Sequence, residues 1–208
     1  MAQMLYQGHG SYRFTLDDGT VVYVDPFAGE GYDTPADLIL VTHEHGDHNQ
    51  VDRMPHAGGC HVVRAADLHP DAQTYLSVES HGVRIVAVQA YNKNHAADAC
   101  VGFVLDFDGI TFYASGDTSM TDDMRSGKLA ELGIDYAVFP ADGFYNMDVD
   151  EAAECARLVG ARHSIPVHIV PVHDMSNPTL FDRSRAEAFQ VSGRIILEPG
   201  ETLELKSF

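Results

Sequence analysis

Basic residues, cysteine and long apolar runs are all scarce in this chain, and tryptophan is absent. Across 208 residues, 13 Lys and Arg stand against 31 Asp and Glu, a formal charge of −18 with histidines neutral. No cluster of Lys and Arg interrupts that acidity, so extended nucleic acid is excluded as a partner: the surface repels phosphate backbones. The cysteines, Cys60, Cys100 and Cys155, lie far apart with no C-x-x-C pair. They offer neither a disulfide framework nor a thiolate zinc knuckle, and fit free thiols in a reducing compartment. The strongest apolar runs, residues 38–41 and 165–172, fall well short of the ~18 residues that span a bilayer. The first residues lack the basic and apolar regions of a signal peptide. A cytoplasmic protein without a membrane partner is expected.

Apolar residues make up 45% and charged residues 21%, ample for a core and against disorder. No Pro/Gly/Ser-rich linker divides the chain, so a single domain over 1–208 is expected. Short strands are predicted at residues 5–12, 13–16, 20–24, 37–41, 61–64, 83–88, 101–107, 110–114, 136–139, 164–169, 194–197 and 202–205, with helices at 123–132, 150–158 and 183–190. Hairpins first and helices between later strands give an α/β fold with mixed sheets. Residues 37–41 are apolar throughout, the pattern of a strand buried on both faces.

That strand runs into His43-x-His45-x-Asp47-His48. In extended chain, residues i and i+2 share a side, so His43 and His45 can reach one ion. Gly46 permits a change of direction, after which Asp47 and His48 can turn toward a second position. Imidazole and carboxylate with no thiolate suit zinc, iron or manganese. The segment is not a zincin, because Asp47 stands where the second histidine of His-Glu-x-x-His belongs. It is not a nucleobase deaminase either, since Pro-Cys-x-x-Cys is missing.

An apolar strand followed by His-x-His-x-Asp-His resembles the signature of the metallo-β-lactamase fold. Asn94-His95-Ala96, Ser115-Gly116-Asp117-Thr118 and Ile165-Pro166-Val167-His168 resemble that family's later elements, in the same order. Gly8-His9-Gly10-Ser11, Val24-Asp25-Pro26 and residues 140–153 resemble its stand-alone hydrolase subgroup near the ascorbate-phosphate lactonases. The resemblance implies an αββα sandwich, two mixed β-sheets with helices on the outer faces. It further implies that His43, His45 and His95 hold one metal, that Asp47, His48 and His168 hold a second, and that Asp117 bridges them. His173 competes with His168 as the late ligand, and the Pro-x-His context favours His168.

Two divalent ions are therefore expected, zinc first, with manganese, iron or nickel also compatible. The expected activity is hydrolysis of a small ester, lactone or phosphodiester by a metal-activated hydroxide, with Asp47 as general acid/base. His9 and Asp25 are expected to support the ligands, Asp25 by fixing an imidazole tautomer. Tyr145 and Asn146 are candidate substrate contacts, in a pocket walled by residues 143–148, 175–181 and the stretch after His48. Two rival readings are a non-catalytic metal-bound sensor or small-molecule binding protein, and a metal-dependent dioxygenase. The sequence does not specify an oligomeric state.

Overall fold

Short apolar stretches joined by Asp/Gly turns pair into two six-stranded sheets in the computed structural model, which describes residues 1–171, 177 and 180–208. The strands are β1 (Gln3–Gly8), β2 (Ser11–Thr15), β3 (Val21–Val24), β4 (Ala36–Val41), β5 (His56–Arg64), β6 (Ser77–Ser80), β7 (Val83–Gln89), β8 (Val101–Phe107), β9 (Ile110–Ala114), β10 (Tyr136–Pro140), β11 (His163–Val167) and β12 (Thr202–Glu204). The helices are α1 (Ala65–Leu68), α2 (Asp122–Arg125), α3 (Val149–Val159) and α4 (Arg183–Ala188).

One sheet runs β12-β1-β2-β3-β4-β5 and the other β11-β10-β9-β8-β7-β6. The first has three antiparallel pairings and then two parallel ones, the second two parallel and then three antiparallel. Both sheets are mixed, as the sequence predicts. Alternation decides which side chain faces which layer. Leu38 and Leu40 of β4 enter the core between the sheets with Phe14, Phe103, Phe112 and Ile165, while Ile39 and Val41 point to the outer face. Tyr136 and Val138 of β10 likewise face inward, and Ala137 and Phe139 face the helices. Each fully buried side chain of this size contributes roughly 1.5–3 kcal/mol, so this double-sided burial is the main cohesion of the fold.

Helix α3 starts where the Asp148 carboxylate accepts the Glu151 N–H and stops at Gly160, left-handed with φ 67°. Asp150 and Glu151 in its first turn favour the positive end of the helix dipole. Its buried face, Ala152, Ala153, Cys155, Ala156 and Val159, is small enough for close packing on the second sheet. The outer face of the first sheet is covered more thinly, by Tyr32, Val51 and Met54 around the 3-10 turn Val51–Arg53. Among the described residues, no helix is long and apolar enough to cross a membrane.

The local expectations fail in several places. Residues 5–12 are interrupted at His9-Gly10, which turns β1 into β2. The helix predicted over 123–132 ends at Arg125, since Gly127 adopts φ 81°, and resumes as the 3-10 turn Ala130–Leu132. Residues 194–197 form no strand, only an isolated bridge between Arg194 and Ser164. Strand β6, Ser-Val-Glu-Ser, is too polar to be seen in the sequence and exists because β7 offers it an edge.

Strands β1, β3 and β4 run in one direction in the first sheet, as β7, β9, β10 and β11 do in the second. Every predicted site residue follows the C-terminal end of one of these strands, where an α/β sheet gathers its loops around a ligand.

Candidate metal centre

Val41 delivers Thr42 and His43 straight off the end of β4. The chain then turns tightly, with the His48 N–H donating to the His45 carbonyl at 3.0 Å. His9 comes from the β1–β2 turn, Asp25 from the end of β3, His95 from the loop after β7, Asp117 from the end of β9 and His168 from the end of β11. His9, Asp25 and His168 have φ values of 53°, 46° and 54°. This left-handed backbone costs a non-glycine residue free energy and persists where packing enforces it, commonly at functional sites.

These turns gather the ligand atoms of His43, His45 and His95 within 4.8 Å of one another, and those of His9, Asp47, His48 and His168 within 4.8 Å in a second group. Asp117 lies between the groups. Its Oδ1 is 3.5 Å from His48 Nε2, and its Oδ2 is 3.5 Å from His95 Nε2 and 3.4 Å from His168 Nε2. His43, His48, His95 and His168 are almost wholly buried, and none of their Nε2 atoms has a hydrogen-bond partner. His45 is exposed and Asp47 part-exposed, so the centre opens to solvent on their side.

Each opposite nitrogen has an oxygen close by, hydrogen-bonded for His43, His48 and His95 and in ion-pair contact for His168. Thr42 Oγ1 donates to Asp25 at 2.6 Å and lies 3.0 Å from His43 Nδ1. His48 Nδ1 is 3.0 Å from Asp25 Oδ2, His95 Nδ1 2.8 Å from Asn92 Oδ1, and His168 Nδ1 3.1 Å from Asp142 Oδ2. An imidazole whose Nδ1–H is so occupied presents a lone pair on Nε2, the arrangement of a metal-ligating histidine. Four buried, unpartnered Nε2 atoms, three of them within 3.5 Å of one carboxylate, would be costly without a cation. The donors present therefore fit divalent ions, and imidazole with carboxylate suits zinc, manganese, iron or nickel.

The electrostatics point the same way. Burial opposes charge on His43 and His9, and their imidazole neighbours add to it, taking them down to about 2 and about 4. Burial also works against charge on His168, but the carboxylates of Asp117 and Asp142 outweigh it and hold it at about 10. Likewise Asp117 and Asp25 hold His48 well above its ordinary value. Burial alone would raise Asp117; His168 and His48 instead keep it well below the usual carboxylate range. The carboxylates thus create a strong demand for positive charge at the centre.

All seven expected ligands, His43, His45, Asp47, His48, His95, Asp117 and His168, are brought together. His9, expected as a supporting residue, stands closer to the centre than that. Its Nε2 is 3.1 Å from Asp47 Oδ2, and its ring lies 3.6 Å from that of His168. Asp25 lies against the segment that carries His43 and His48: Oδ1 accepts the Thr42 N–H at 2.8 Å, and Oδ2 faces Thr42 Oγ1 and His48 Nδ1. Tyr145 is exposed beside Phe144. Asn146 differs from its expected role as a substrate contact. It is buried, with Nδ2 donating to Asp142 at 2.9 Å and Oδ1 accepting from Asn92 at 2.8 Å. His173 and most of the predicted wall 175–181 lie outside the described residues.

Thr42, Asn92 and Asp142 escaped the sequence reading. Thr42 and Asn92 precede His43 and His95 by one and three residues, and Asp142-Gly143 follows the apolar strand β10 much as Asp25-Pro26 follows β3. His69 ties the His95 loop to the end of α1, with its two nitrogens 2.8 and 2.7 Å from the Thr74 and Ala97 carbonyls.

Gly10 marks how tightly the centre is built. A Cβ there would stand 2.7 Å from His48 Cε1, a ring atom held in place by Asp25. Gly10→Ala is expected to push His48 out of line and weaken metal binding by about 10–100-fold, the usual cost of disturbing a ligand's support. Isothermal titration with zinc, alongside a thermal melt showing the fold intact, checks this.

A family model described as a β-lactamase superfamily domain matches residues 3–168. A UPF0173 metal-dependent hydrolase from Pyrococcus furiosus is 34% identical over 235 residues, covering 99% of this chain and 100% of that protein. The solved structure of Igni18, a metallo hydrolase from the archaeon Ignicoccus hospitalis, superposes with a TM-score of 0.73 at 20% identity, covering 99% of each chain. That of CmlA, a diiron β-hydroxylase from Streptomyces venezuelae, gives 0.68 at 15% identity, covering 98% of this chain and 54% of CmlA. At such identities the two structures speak for the fold alone, whereas the family model and the full-length relative speak for descent: the chain belongs to the β-lactamase superfamily, among its UPF0173 metal-dependent hydrolases.

Proposed function

We propose that the protein is a dinuclear hydrolase of small esters, lactones or phosphodiesters. The observation that carries this reading is the pair of ligand groups joined by Asp117, with buried, unpartnered Nε2 atoms facing that carboxylate from both. His43, His45 and His95 would hold one ion, Asp47, His48 and His168 the other, with Asp117 between. Divalent ions so held supply Lewis-acid polarisation of a carbonyl or phosphoryl oxygen and lower the pKa of water toward neutrality.

The chain's own groups do the rest. Asp47 is the one predicted ligand carboxylate that reaches solvent, 39% exposed, and its Oδ2 is oriented by His9. It is placed to accept a proton from the attacking water and return it to the leaving oxygen, a role worth about 10²–10⁴-fold. The residue is held well below the usual carboxylate range: burial would raise it, but the His9 hydrogen bond and the nearby imidazoles outweigh that. It is thus ionised and ready as a base near neutral pH.

Asn94 Nδ2 donates to the Tyr145 carbonyl at 2.8 Å, which brings the exposed Phe144–Tyr145 pair against the loop that carries His95. We assign Tyr145 to contact with the substrate's non-reacting part. A small-molecule substrate, the acidic surface and the choice of zinc remain parts of this proposal.

Metal analysis by mass spectrometry, on protein purified without an affinity-metal step, tests it together with turnover assays on ester, lactone and phosphodiester panels. About two ions per chain and hydrolysis abolished by chelation are expected. One ion at saturation would replace the dinuclear site with a mononuclear one. Bound metal without turnover would favour a binding or sensor protein, and oxygen consumption by the iron-loaded protein would favour a dioxygenase.

A further inference from the structure

The loop between β10 and α3 is organised around one carboxylate. Asp142 Oδ1 accepts the backbone N–H groups of Phe144, Tyr145 and Asn146 at 2.7, 2.5 and 3.2 Å. Its Oδ2 accepts from Asn146 Nδ2 at 2.9 Å and lies 3.1 Å from His168 Nδ1. From Asn146 the contacts continue: Asn92 Nδ2 donates to Asn146 Oδ1 at 2.8 Å, and His95 Nδ1 lies 2.8 Å from Asn92 Oδ1. The path therefore runs from His95 through Asn92, Asn146 and Asp142 to His168. Its ends are one histidine from each ligand group.

The three donors between His95 and Asp142 point the same way. The His95 N–H faces Asn92, the Asn92 amide faces Asn146, the Asn146 amide faces Asp142, and His168 faces Asp142 from the other side. Hydrogen bonds aligned in series polarise one another, most strongly in surroundings of low dielectric. Asn146 and Asp142 are both buried. The negative charge of Asp142 is thus presented directly to His168 and, through two amides, to His95. Asp117 lies between the same two groups on the inside; this path joins them from the outside.

We propose that Asn92, Asn146 and Asp142 form an outer bridge that makes the two metal positions fill together, with Asn146 as its central positioning residue. The inference rests on the dinuclear reading above. An ion bound to His43, His45 and His95 fixes the His95 ring and with it Asn92 and Asn146. That holds the Asp142 carboxylate against His168 before the second ion arrives. The second ion then meets a ligand already oriented, and each site lowers the ordering cost of the other.

Native mass spectrometry of the metal-free protein with one equivalent of zinc tests the bridge. Wild type is expected to divide mainly into chains with no ion and chains with two. Asn146→Ala is expected to keep a capacity of two ions yet carry mainly one at this ratio, its second ion needing about 10–100-fold more free zinc. Asn92→Ala cuts the same path at its other link and should behave alike, so it decides the matter if Asn146→Ala fails to fold. A purely structural role would lower the melting temperature of the metal-free variants and leave the distribution of loaded species unchanged, which would overturn the bridge. A wild type loading mainly one ion at one equivalent would overturn it as well, while leaving the two-ion capacity standing. A wild-type capacity of one ion at saturation would remove the dinuclear reading itself, and the bridge with it.

Discussion

Asp117→Ala should empty both metal positions and abolish hydrolysis while the chain stays folded. The carboxylate lies within 3.5 Å of imidazoles from both ligand groups, and without it three Nε2 atoms face one another with no anion between them. Lewis-acid assistance is worth several kcal/mol and each ~1.4 kcal/mol is tenfold in rate, so a loss of about 10³-fold or more is expected. The fold should survive, because Asp117 contributes to none of the apolar clusters and the core between the sheets is complete without it. Mass-spectrometric metal content, run beside a circular-dichroism melt, is the check. Full metal content in the variant would take Asp117 out of the centre.

Asp25→Ala should lose stability as well as metal. The Asp25 carboxylate is 2% exposed. It accepts the Thr42 N–H and Oγ1–H and faces His48 Nδ1. Leaving buried donors without an acceptor costs roughly 1–3 kcal/mol each, and alanine at the φ of 46° adds backbone strain. A total of about 3 kcal/mol is expected, or about 6–12 °C in melting temperature for a chain of this size. Asp25→Asn separates the two effects. It keeps an oxygen for the Thr42 N–H and tolerates the left-handed backbone, yet turns an amide donor toward His48 or Thr42. A modest loss of stability with a large loss of metal affinity is therefore expected from it. Thermal melts of both metal-free variants, followed by zinc titration, distinguish the outcomes. An Asp25→Ala protein that melts with the wild type and binds zinc as tightly would refute the supporting role.

The parts of the centre visible in the sequence were those whose residue types are rare outside metal chemistry. Four ligand-type side chains in residues 43–48 after a doubly buried strand leave few other readings, and Asp117 and His168 each follow a strand in the expected order. What stayed hidden was whatever depends on a partner distant in the chain. In the sequence Asn146 reads as a substrate contact, and only the approach of Asn92, 54 positions away, shows where its amide goes. Thr42, Asn92 and Asp142 are common polar residues whose importance lies in the ring nitrogens opposite them. The fold shows the same division. Strands with an apolar pattern were legible, whereas β6 exists only by pairing with β7, and the 123–132 helix is broken by one glycine that periodicity could not weigh against its neighbours.

The direction of the strands has one more consequence. Because every contributing strand runs toward the centre, connections lie at the opposite rim, among them the Asp17-Asp18-Gly19 and Asp108-Gly109 turns, the latter reaching the former through Asp108 Oδ2 and the Asp17 N–H at 2.8 Å. The Met1 amino group is fastened there too, 2.7 Å from Asp17, and the Leu205 N–H donates to the Ala2 carbonyl beside it. Both ends of the chain leave the sandwich on the side away from the chemistry. The molecule therefore has a natural handle: anchored to a bead, a carrier protein or an electrode by either end, it would face its open mouth outward.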